Sequence, residues 1–402
     1  MAALTHPRIL QVIANLEIGG AQEVVRTLSA YFKERGCPTT VCSFRDGPLR
    51  AEIERLEIPV EIIPGRQHSL LSPYESVREL MRIRRSLLHL VEKYQIDVIQ
   101  THLLRSLDFL VASLKISHPR LLVFWTVHNY QFQLRAEQLT AYRWMVRPKN
   151  SIHRLLYRWT STRIEGFIAV ADQVHQAIQQ GIGPADGRVT TISNGVDVPR
   201  YRQMSNRRAT RSSLGLRESD YVIILVGTLK EQKGHCYLIE AAAPLIAENP
   251  SIHILFAGDG ELGEPLRRQV AQAGLEKNIH FLGSRNDIPD LLAASDTFVL
   301  PSLWEGLPMA LIEAMASGLP VIATQVSGSE QVVETEQTGI LVPPGDALEL
   351  RRALVRILTA PGWAKAIGQA GSDRVEAVYG AGKQADDHLA LFRRKWEMLN
   401  GE

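Results

Sequence analysis

Apolar and polar positions along the chain follow two patterns that repeat in both halves. Short runs rich in Val and Ile, such as RILQVIA at 8–14 and LLVFWTVH at 121–128, alternate with amphipathic stretches such as 20–35 and 73–94. Apolar strands that alternate with helices are typical of a parallel sheet covered on both faces, so the pattern predicts an α/β fold. The predicted strands are 8–14, 39–44, 60–64, 97–102, 121–128, 166–171, 221–227, 252–258, 279–283, 296–302, 320–324 and 339–344.

The predicted strands fall into two groups, separated by a polar and arginine-rich stretch. A chain of 402 residues exceeds the ~250–300 at which one hydrophobic core stops growing, so we expect two domains. We place an N-terminal domain at 1–197, a linker at 198–216 and a C-terminal domain at 217–379. The linker arginines are interpreted as solvated. Ligands are expected at the carboxyl ends of the strands, in a cleft that both domains face.

Composition and charge exclude several classes of protein. A net charge of +2 gives no overall field that would attract nucleic acid. No window reaches ~18 apolar residues without a charge, and the N-terminus lacks the pattern of a signal peptide, so we predict no membrane span. Cys37, Cys42 and Cys236 form neither a disulfide framework nor a metal-binding spacing, which indicates a cytoplasmic protein.

One segment departs from the alternating pattern. Residues 131–165 carry seven Arg or Lys against two Glu, interleaved with Phe, Tyr and Trp. Such a surface can lie on an anionic membrane or bind an anionic acceptor. The alternative is an ordinary pair of helices whose aromatic side chains pack inward.

Glycines and one lysine mark two turns where a strand is followed by a helix. Gly19 and Gly20 follow the first strand, which indicates either close approach of a phosphate or sugar, or a plain tight turn. The stretch is not the dinucleotide pattern G-x-G-x-x-G. In the second half, Lys233 and Gly234 precede a helix, where an ammonium can meet phosphate oxygens or simply be solvated.

Two histidines end predicted strands in the first half. His102 closes DVIQTH and His128 closes LLVFWTVH, so both are expected at the carboxyl edge of the sheet. A single histidine there is usually structural, whereas two at neighbouring strand ends also favour a functional role. The chain has no D-x-D, no H-E-x-x-H and no paired Cys/His set, so we predict no divalent metal site.

The stretch LWEGLPMALIEAM, at 303–315, places two carboxylates around a predicted helix start. Glu305 lies in the loop after a strand, Pro308 suits the first turn, and Glu313 lies about a turn and a half inside the helix. Amides at a helix start bind phosphate, and carboxylates accept hydrogen bonds from pairs of hydroxyls. The segment can therefore meet the sugar, diphosphate and ribose of a nucleotide sugar. The alternative, that Glu305 only favours the helix dipole, leaves Glu313 unexplained.

These motifs together resemble the retaining glycosyltransferases of family 4, over nearly the whole chain. The resemblance is carried by GGAQ, TVHN, ISNGVD, GTLKEQKG, AGDGEL, TGILVPPGD and, most specifically, the segment 281–324. It implies two Rossmann-like parallel-sheet domains that face a cleft, the GT-B arrangement. It also implies that the last helix, within 380–402, packs back on the N-terminal domain.

The resemblance further implies an activity. A retaining hexosyltransferase of this family moves a sugar from an NDP-sugar, here UDP or GDP, to a glycan or lipid-linked acceptor in polysaccharide biosynthesis. It needs no cofactor and no metal, and no nucleic acid is a partner. Because no side chain looks like a committed nucleophile, we expect front-face attack, with the leaving phosphate accepting the proton of the acceptor.

The resemblance also assigns roles to individual positions. Glu305 would contact hydroxyls of the donor sugar, Glu313 would contact the ribose hydroxyls, and His128 would lie at the reacting centre. The remaining expected donor-binding positions are the amides of Gly306, Leu307, Pro308 and Met309 together with Lys233 for the diphosphate, Gly19 and Gly20 closing from the other domain, and Arg285 near the base.

One position departs from the family pattern. The family usually has Arg after the glycine where GTLKEQKG has Thr228, and a hydroxyl supplies a hydrogen bond but no charge. Lys230 or another arginine would have to compensate. Two other functions fit the same architecture, namely a sugar-nucleotide epimerase and a non-catalytic protein that binds sugar nucleotides or glycans.

The expected partners follow from these assignments. They are a nucleotide-sugar donor and a glycan or lipid-linked acceptor, with peripheral contact to anionic membrane through 131–165. The expected location is the cytoplasm, at the inner face of the plasma membrane.

Overall fold

A computed structural model describes residues 6–17, 19–65, 73–102, 106–128, 157–184, 187–202 and 207–400. The chain divides into two compact units, residues 1–195 with 381–402, and residues 196–380. Among the helices in these ranges, none is long and apolar enough to cross a membrane.

The first unit is built on a parallel sheet in the order β3-β2-β1-β4-β5-β6-β7. Six of these strands match predicted apolar runs, while β7 is short and only one of its three residues is buried, so the apolar pattern does not reveal it. The strands are β1 Ile9–Ile13, β2 Thr39–Ser43, β3 Val60–Ile62, β4 Val98–His102, β5 Leu122–Val127, β6 Gly166–Ala169 and β7 Val189–Thr191.

Helices cover both faces of this sheet because each has one apolar side. In the helix Gly20–Glu34, for example, Val24, Leu28 and Phe32 recur at helical spacing and are buried. The other helices are Leu49–Arg55, Pro73–Lys93, Ser106–Ser113, Asp172–Gly181 and Ala381–Asn400, with a 3₁₀ turn at Leu114–Ile116.

The last helix, Ala381–Asn400, belongs to this first unit, as expected from the resemblance. Phe392 packs on Phe124 of β5 with ring centroids 4.9 Å apart, and on Phe32 with centroids 6.1 Å apart. The helix therefore completes the core on one face of the sheet.

The second unit repeats the design with a parallel sheet in the order β10-β9-β8-β11-β12-β13. Its strands match the six predicted runs and are β8 Tyr221–Val226, β9 Ile252–Ala257, β10 Ile279–Gly283, β11 Thr297–Leu300, β12 Val321–Thr324 and β13 Ile340–Val342. Its helices are Val198–Arg202, Arg207–Ser213, His235–Glu248, Gly263–Gln272, Ile288–Ala294, Met309–Ala316, Ser327–Val332, Ala347–Thr359 and Pro361–Tyr379, with a 3₁₀ turn at Glu231–Lys233.

The stretch predicted as a linker of solvated arginines holds two short helices, and one of its arginines is buried. Arg211 is only 1% exposed. Its guanidinium donates to the carbonyls of Ala294 and Asp220 at 2.8 Å each and to the carboxylate of Asp296 at 2.7 Å. The interpretation as a solvated residue is therefore wrong for Arg211, which ties this stretch to the start of β8 and β11.

Candidate active site

The candidate site of the second unit lies where the strand order reverses, between β8 and β11. Connections from the two strands run in opposite directions there, so the loops after their carboxyl ends leave room for a ligand. These loops are 227–234 and 301–308. They are joined by hydrogen bonds from the amide of Leu303 to the carbonyl of Gln232, 2.8 Å, and from the Gln232 side chain to the carbonyl of Trp304, 2.9 Å.

Lys233 and Glu305 meet at the centre of this site. Nζ of Lys233 lies 2.5 Å from Oε1 of Glu305, and the hydroxyl of Ser302 donates to the same oxygen at 2.7 Å. The side chains of Lys233 and Glu305 are 17% and 6% exposed. Lys233 retains two further N–H donors, and no described residue donates to Oε2 of Glu305.

Two glycines allow the backbone to pack closely around this pair. Gly234 has a positive φ of 64°, and a Cβ there would lie 2.0 Å from the carbonyl oxygen of Pro301. A Cβ on Gly328 would lie 1.6 Å from the carbonyl oxygen of Gly306. A side chain at position 234 would push the two loops apart, and one at position 328 would displace the loop at Gly306.

The loop after Glu305 leads into a helix whose first amides have no internal acceptor. The helix runs from Met309 to Ala316, and Pro308 precedes it in an extended conformation. The amides of residues 311 and 312 donate to the carbonyl of Pro308. No described residue accepts a hydrogen bond from the amides of Gly306, Leu307, Met309 or Ala310. Amides without an acceptor at a helix start are the kind of group that binds anions in proteins.

The structure corrects two predictions about this helix start. Pro308 lies before the helix and not within its first turn, and it cannot be an amide donor because proline has no N–H. The amide of Ala310 takes its place in the set of donors.

Glu313 lies within the helix, as the pattern predicts, and Gly318 lies just beyond its end. Glu313 is the fifth residue of the helix and is partly exposed. Gly318 follows the helix end with a positive φ of 78°, and its amide donates to the carbonyl of Met315 at 2.9 Å.

Thr228 and Lys230 are both exposed in the loop after β8. This loop is braced by the AGDGEL turn, because the amide of Leu229 donates to the carbonyl of Asp259 at 3.0 Å and a Cβ on Gly260 would lie 2.5 Å from the Leu229 carbonyl oxygen. The glycines of that turn therefore serve packing, and a helix follows at Gly263–Gln272.

Arg285 is engaged by a near neighbour. Its guanidinium binds both carboxylate oxygens of Asp287, at 2.8 and 2.6 Å. This hydrogen-bonded pair holds the pKa of Asp287 below its usual range. The side chain of Arg285 is thus directed along its own loop.

In the first unit, Gly19 and Gly20 lie at the carboxyl end of β1, as expected. Gly19 precedes the helix with extended backbone angles, and Gly20 is its first residue. A Cβ on Gly20 would meet no atom within 4 Å. Neither backbone strain nor packing in the described residues accounts for glycine at position 20.

His102 and His128 are brought together, as their strand-end positions predict. They lie at the carboxyl ends of the neighbouring strands β4 and β5, and Nδ1 of His102 is 3.1 Å from Nε2 of His128. Burial lowers the pKa of His128 to about 4, and the charge of His388 lowers it further. Burial also lowers the pKa of His102, which is fully buried. Both rings are therefore neutral near pH 7.

Four polar residues around these histidines were not identified from the sequence. Gln11 and Gln100 face each other in the middle of β1 and β4, Asn194 lies beside His128, and Gln384 lies beside Asn194. A glutamine inside each of two apolar strands was the available signal, because a buried amide needs a hydrogen-bonding partner. Nothing in the sequence relates Gln384 to Asn194.

Most of the basic segment 131–165 lies outside the described residues, which resume at 157. Within the described part, Tyr157 packs inward on Phe109 and Trp125, with ring centroids 4.8 and 5.8 Å apart. Trp159 is 56% exposed and stacks under the guanidinium of Arg163 at 3.6 Å. This end of the segment thus shows both inward packing and an exposed cationic aromatic surface.

Comparison with known proteins assigns both units to one class of enzyme. Residues 18–200 match the family model described as Glycosyltransferase Family 4, and residues 206–374 match the model described as Glycosyl transferases group 1. Among solved structures, HepE of Anabaena in complex with UDP and glucose superposes with a TM-score of 0.76, over 96% of this chain and 100% of that one. At 21% identity this likeness shows the fold alone.

Proteins of similar sequence identify the family to which this chain belongs. A protein of Escherichia coli named UDP-Gal:alpha-D-GlcNAc-diphosphoundecaprenol alpha-1,3-galactosyltransferase is 32% identical over 285 residues, which cover 68% of this chain and 69% of that protein. Putative glycosyltransferase EpsD of Bacillus subtilis is 25% identical over 85% of both chains. The chain therefore belongs to the family 4 type of glycosyltransferases, with the two parallel-sheet domains of the GT-B fold.

Proposed function

We propose that this glycosyltransferase moves a hexose from a UDP-sugar, or secondarily a GDP-sugar, to a lipid-linked or glycan acceptor with retention at the anomeric carbon. The observation that carries the proposal is the set of amides at residues 306, 307, 309 and 310, which have no acceptor in the described part of the chain and lie beside the ammonium of Lys233. A diphosphate carries negative charge on adjacent groups, which matches a helix start and a lysine side by side.

The diphosphate is the group that this surface binds. Lys233 is held in place by Glu305 and has two N–H donors left for phosphate oxygens. Because negative charge grows on the leaving diphosphate as the glycosidic bond breaks, these fixed donors stabilise the transition state more than the ground state.

The two glutamates bind hydroxyl groups on either side of the diphosphate. Oε1 of Glu305 is occupied by Lys233 and Ser302, which leaves Oε2 to accept from hydroxyls of the donor sugar. Glu313, five residues into the helix, is assigned to the ribose hydroxyls. Arg285 and its loop are assigned to the base, which the side chain does not need to contact directly.

Retention is proposed to follow from front-face attack. Glu305 is already paired with a lysine, which makes it a poor nucleophile. The acceptor oxygen forms the new glycosidic bond as the bond to the diphosphate breaks, and the acceptor proton passes to the departing phosphate oxygen. Both bonds lie on the same face of the sugar, so the anomeric configuration is kept. No step requires a divalent metal.

Residues of the first unit are assigned by resemblance. Gly19 and Gly20 are proposed to allow close approach of the donor. The donor would then occupy the open space beside Gly20, where a side chain would be in its way. His128 lies at the reacting centre, where a neutral imidazole contributes shape rather than charge.

The acceptor is proposed to be a lipid-linked diphosphate sugar at an anionic membrane. Support comes from the name of the E. coli relative, which specifies such an acceptor for that protein, and from the exposed Trp159 with Arg163 at the end of the basic segment. Peripheral binding at the inner face of the plasma membrane follows from that choice.

The experiment is a transfer assay with the full chain. Purified protein is incubated with UDP-galactose, UDP-glucose or GDP-mannose and with GlcNAc-diphosphoundecaprenol, in the presence of EDTA. We expect a disaccharide-lipid whose new linkage has the α configuration by NMR. A β linkage would contradict retention, and complete loss of product in EDTA would contradict metal independence.

The same assay separates the other two functions considered from the sequence. Isomerised donor without acceptor-dependent product would indicate an epimerase. Saturable donor binding without turnover would indicate a non-catalytic protein. Vesicle co-sedimentation that does not depend on anionic lipid would contradict the membrane part of the proposal.

A further inference from the structure

A continuous chain of side-chain hydrogen bonds crosses the first unit from its last helix to its central strands. It begins at the amide of Gly195, which donates to Oε1 of Gln384 at 3.0 Å. Gln384 donates to Asn194 at 3.3 Å, and Asn194 faces Nδ1 of His128 at 3.5 Å, the longest link. All of these groups except His128 are more than nine-tenths buried.

Beyond His128 the chain continues through the sheet. Nε2 of His128 faces Nδ1 of His102 at 3.1 Å, and Nε2 of His102 faces Oε1 of Gln11 at 2.6 Å. Gln11 then donates to Gln100 at 2.9 Å, and Gln100 donates to the hydroxyl of Thr126 at 2.6 Å. Every member between the Gly195 amide and the Thr126 hydroxyl has a partner on each side.

The direction of every donor in this chain is set by one backbone group. A backbone N–H can only donate, so Gly195 fixes the oxygen of Gln384 toward itself and its NH₂ toward Asn194. Asn194 must then present its oxygen to Gln384 and its NH₂ to Nδ1 of His128. Nδ1 of His128 therefore accepts.

The same logic fixes both imidazole rings. A neutral His128 that accepts at Nδ1 carries its hydrogen on Nε2 and donates to Nδ1 of His102. His102 then carries its hydrogen on Nε2 and donates to Gln11, whose NH₂ is directed toward Gln100. A protonated His128 would direct an N–H at the NH₂ of Asn194. This series of hydrogen bonds therefore disfavours protonation of His128.

We propose that Asn194 and Gln384 are positioning residues for sugar transfer, because they hold His128 as a neutral imidazole with its hydrogen on Nε2. This inference rests on the proposed function for the role of His128 in transfer. In this arrangement both ring nitrogens are engaged by the protein itself. His128 braces the carboxyl end of β5 and does not act as the general base.

The tautomer of His128 can be measured without substrate. The full chain is labelled with ¹⁵N-histidine, and long-range ¹H–¹⁵N correlation spectra distinguish the two neutral tautomers from imidazolium. The His128 signals are assigned by their loss in His128→Gln. We expect the Nε2–H tautomer, unchanged between about pH 8 and about pH 6. A wild-type His128 found as the Nδ1–H tautomer or as imidazolium would overturn the inference.

Asn194→Asp reverses the direction of the hydrogen bond to His128. A carboxylate only accepts, so we expect the hydrogen to move to Nδ1 or the ring to become charged. Gln384→Glu is a second variant, since Asn194 would then turn its NH₂ toward the carboxylate. Thr126→Val is the matched control, because it removes a buried hydroxyl from the same series of hydrogen bonds without reversing the direction of the others. An unchanged tautomer in folded Asn194→Asp or Gln384→Glu would overturn the proposal.

Kinetics test the positioning role. With UDP-galactose as donor, we expect kcat of Asn194→Asp to fall roughly ten- to a hundredfold with little change in donor KM, and its pH profile to gain an ionisation. If Asn194→Asp reverses the tautomer of His128 but keeps the wild-type kcat, the positioning role of Asn194 is refuted. A wild type that has the predicted tautomer but transfers no sugar would refute the proposed function alone.

Discussion

Nζ of Lys233 lies 2.5 Å from Oε1 of Glu305, although the two residues are 72 positions apart in the chain. The pair joins the loop after β8 to the loop after β11, next to a helix start whose first amides have no internal acceptor. A cation, a carboxylate and a row of amides thereby lie side by side, which is the arrangement that transition-state stabilisation requires.

Replacing Lys233 with Met is expected to reduce kcat/KM by ~10²–10³-fold, because a fixed donor to the leaving diphosphate typically contributes ~2.7–4 kcal/mol. Glu305→Gln is expected to lose a similar factor, since it removes the charge that orients the ammonium. Steady-state kinetics with the donor measure both effects. Lys365→Met, which changes an exposed lysine of the same unit, should keep wild-type kinetics. Near-wild-type turnover in either site variant would refute this assignment.

Thr228→Arg is expected to improve donor use. Thr228 is exposed where the family usually has arginine, so a guanidinium has room to reach the diphosphate. We expect donor KM to fall several-fold, by less than the tenfold that ~1.4 kcal/mol represents. If Lys230 compensates in the wild type, Lys230→Ala will raise KM in the wild-type background and less so in Thr228→Arg. An Arg variant with weaker donor binding would contradict the interpretation of this departure.

Arg211→Ala is expected to destabilise the protein strongly. Arg211 binds the carbonyls of Ala294 and Asp220 from within the core, while Asp296 also pairs with Arg207; each buried acceptor that loses its donor costs about 1–3 kcal/mol. Arg208→Ala is the matched control, since that side chain is 87% exposed on the same helix and should change stability by no more than about 0.5 kcal/mol. Urea unfolding measures both. Equal effects would contradict the structural role given to Arg211.

Acidification is expected to destabilise the protein through buried histidines. Burial lowers the pKa of His388 and His235 to about 4, below the ~6.5 of an unfolded chain. Between these values the unfolded state binds more protons, so stability is present above about pH 6.5 and is lost as pH falls toward 4.

Each such group contributes a slope of ~1.4 kcal/mol per pH unit. His388→Leu should flatten the dependence, because Nε2 of His388 has no partner among the described residues and a leucine fits an apolar site. The free energy of unfolding, measured at several pH values in this range, is the test. A variant as acid-sensitive as the wild type would show that His388 is not one of the titrating groups.

Strand positions could be predicted from the sequence because apolar runs mark buried strands directly. The ends of those runs also located His102 and His128, and parallel strands bring their carboxyl ends to one edge. The Glu305 segment was identifiable because a strand, a glycine, a proline and a helical pattern follow in order. The donor set carried over from the resemblance was partly mistaken, since Pro308 has no N–H to donate.

Contacts between distant positions could not be predicted. Gln384 and Asn194 are 190 residues apart, and a polar residue on an amphipathic helix gives no sign that it is buried. Arg211 was assigned to solvent for a related reason, because the carbonyls and carboxylate that satisfy it come from other elements. Polarity in a sequence shows that a group needs partners but does not show whether water supplies them.

The most direct test of the central claim is an amide titration with UDP and with uridine. Backbone ¹H–¹⁵N signals of Gly306, Leu307, Met309 and Ala310 are followed in the full chain, labelled at these residue types. We expect all four to shift with UDP and to stay in place with uridine, since only UDP carries the diphosphate. UDP that binds while these four amides stay unchanged would contradict the claim that this helix start holds the donor.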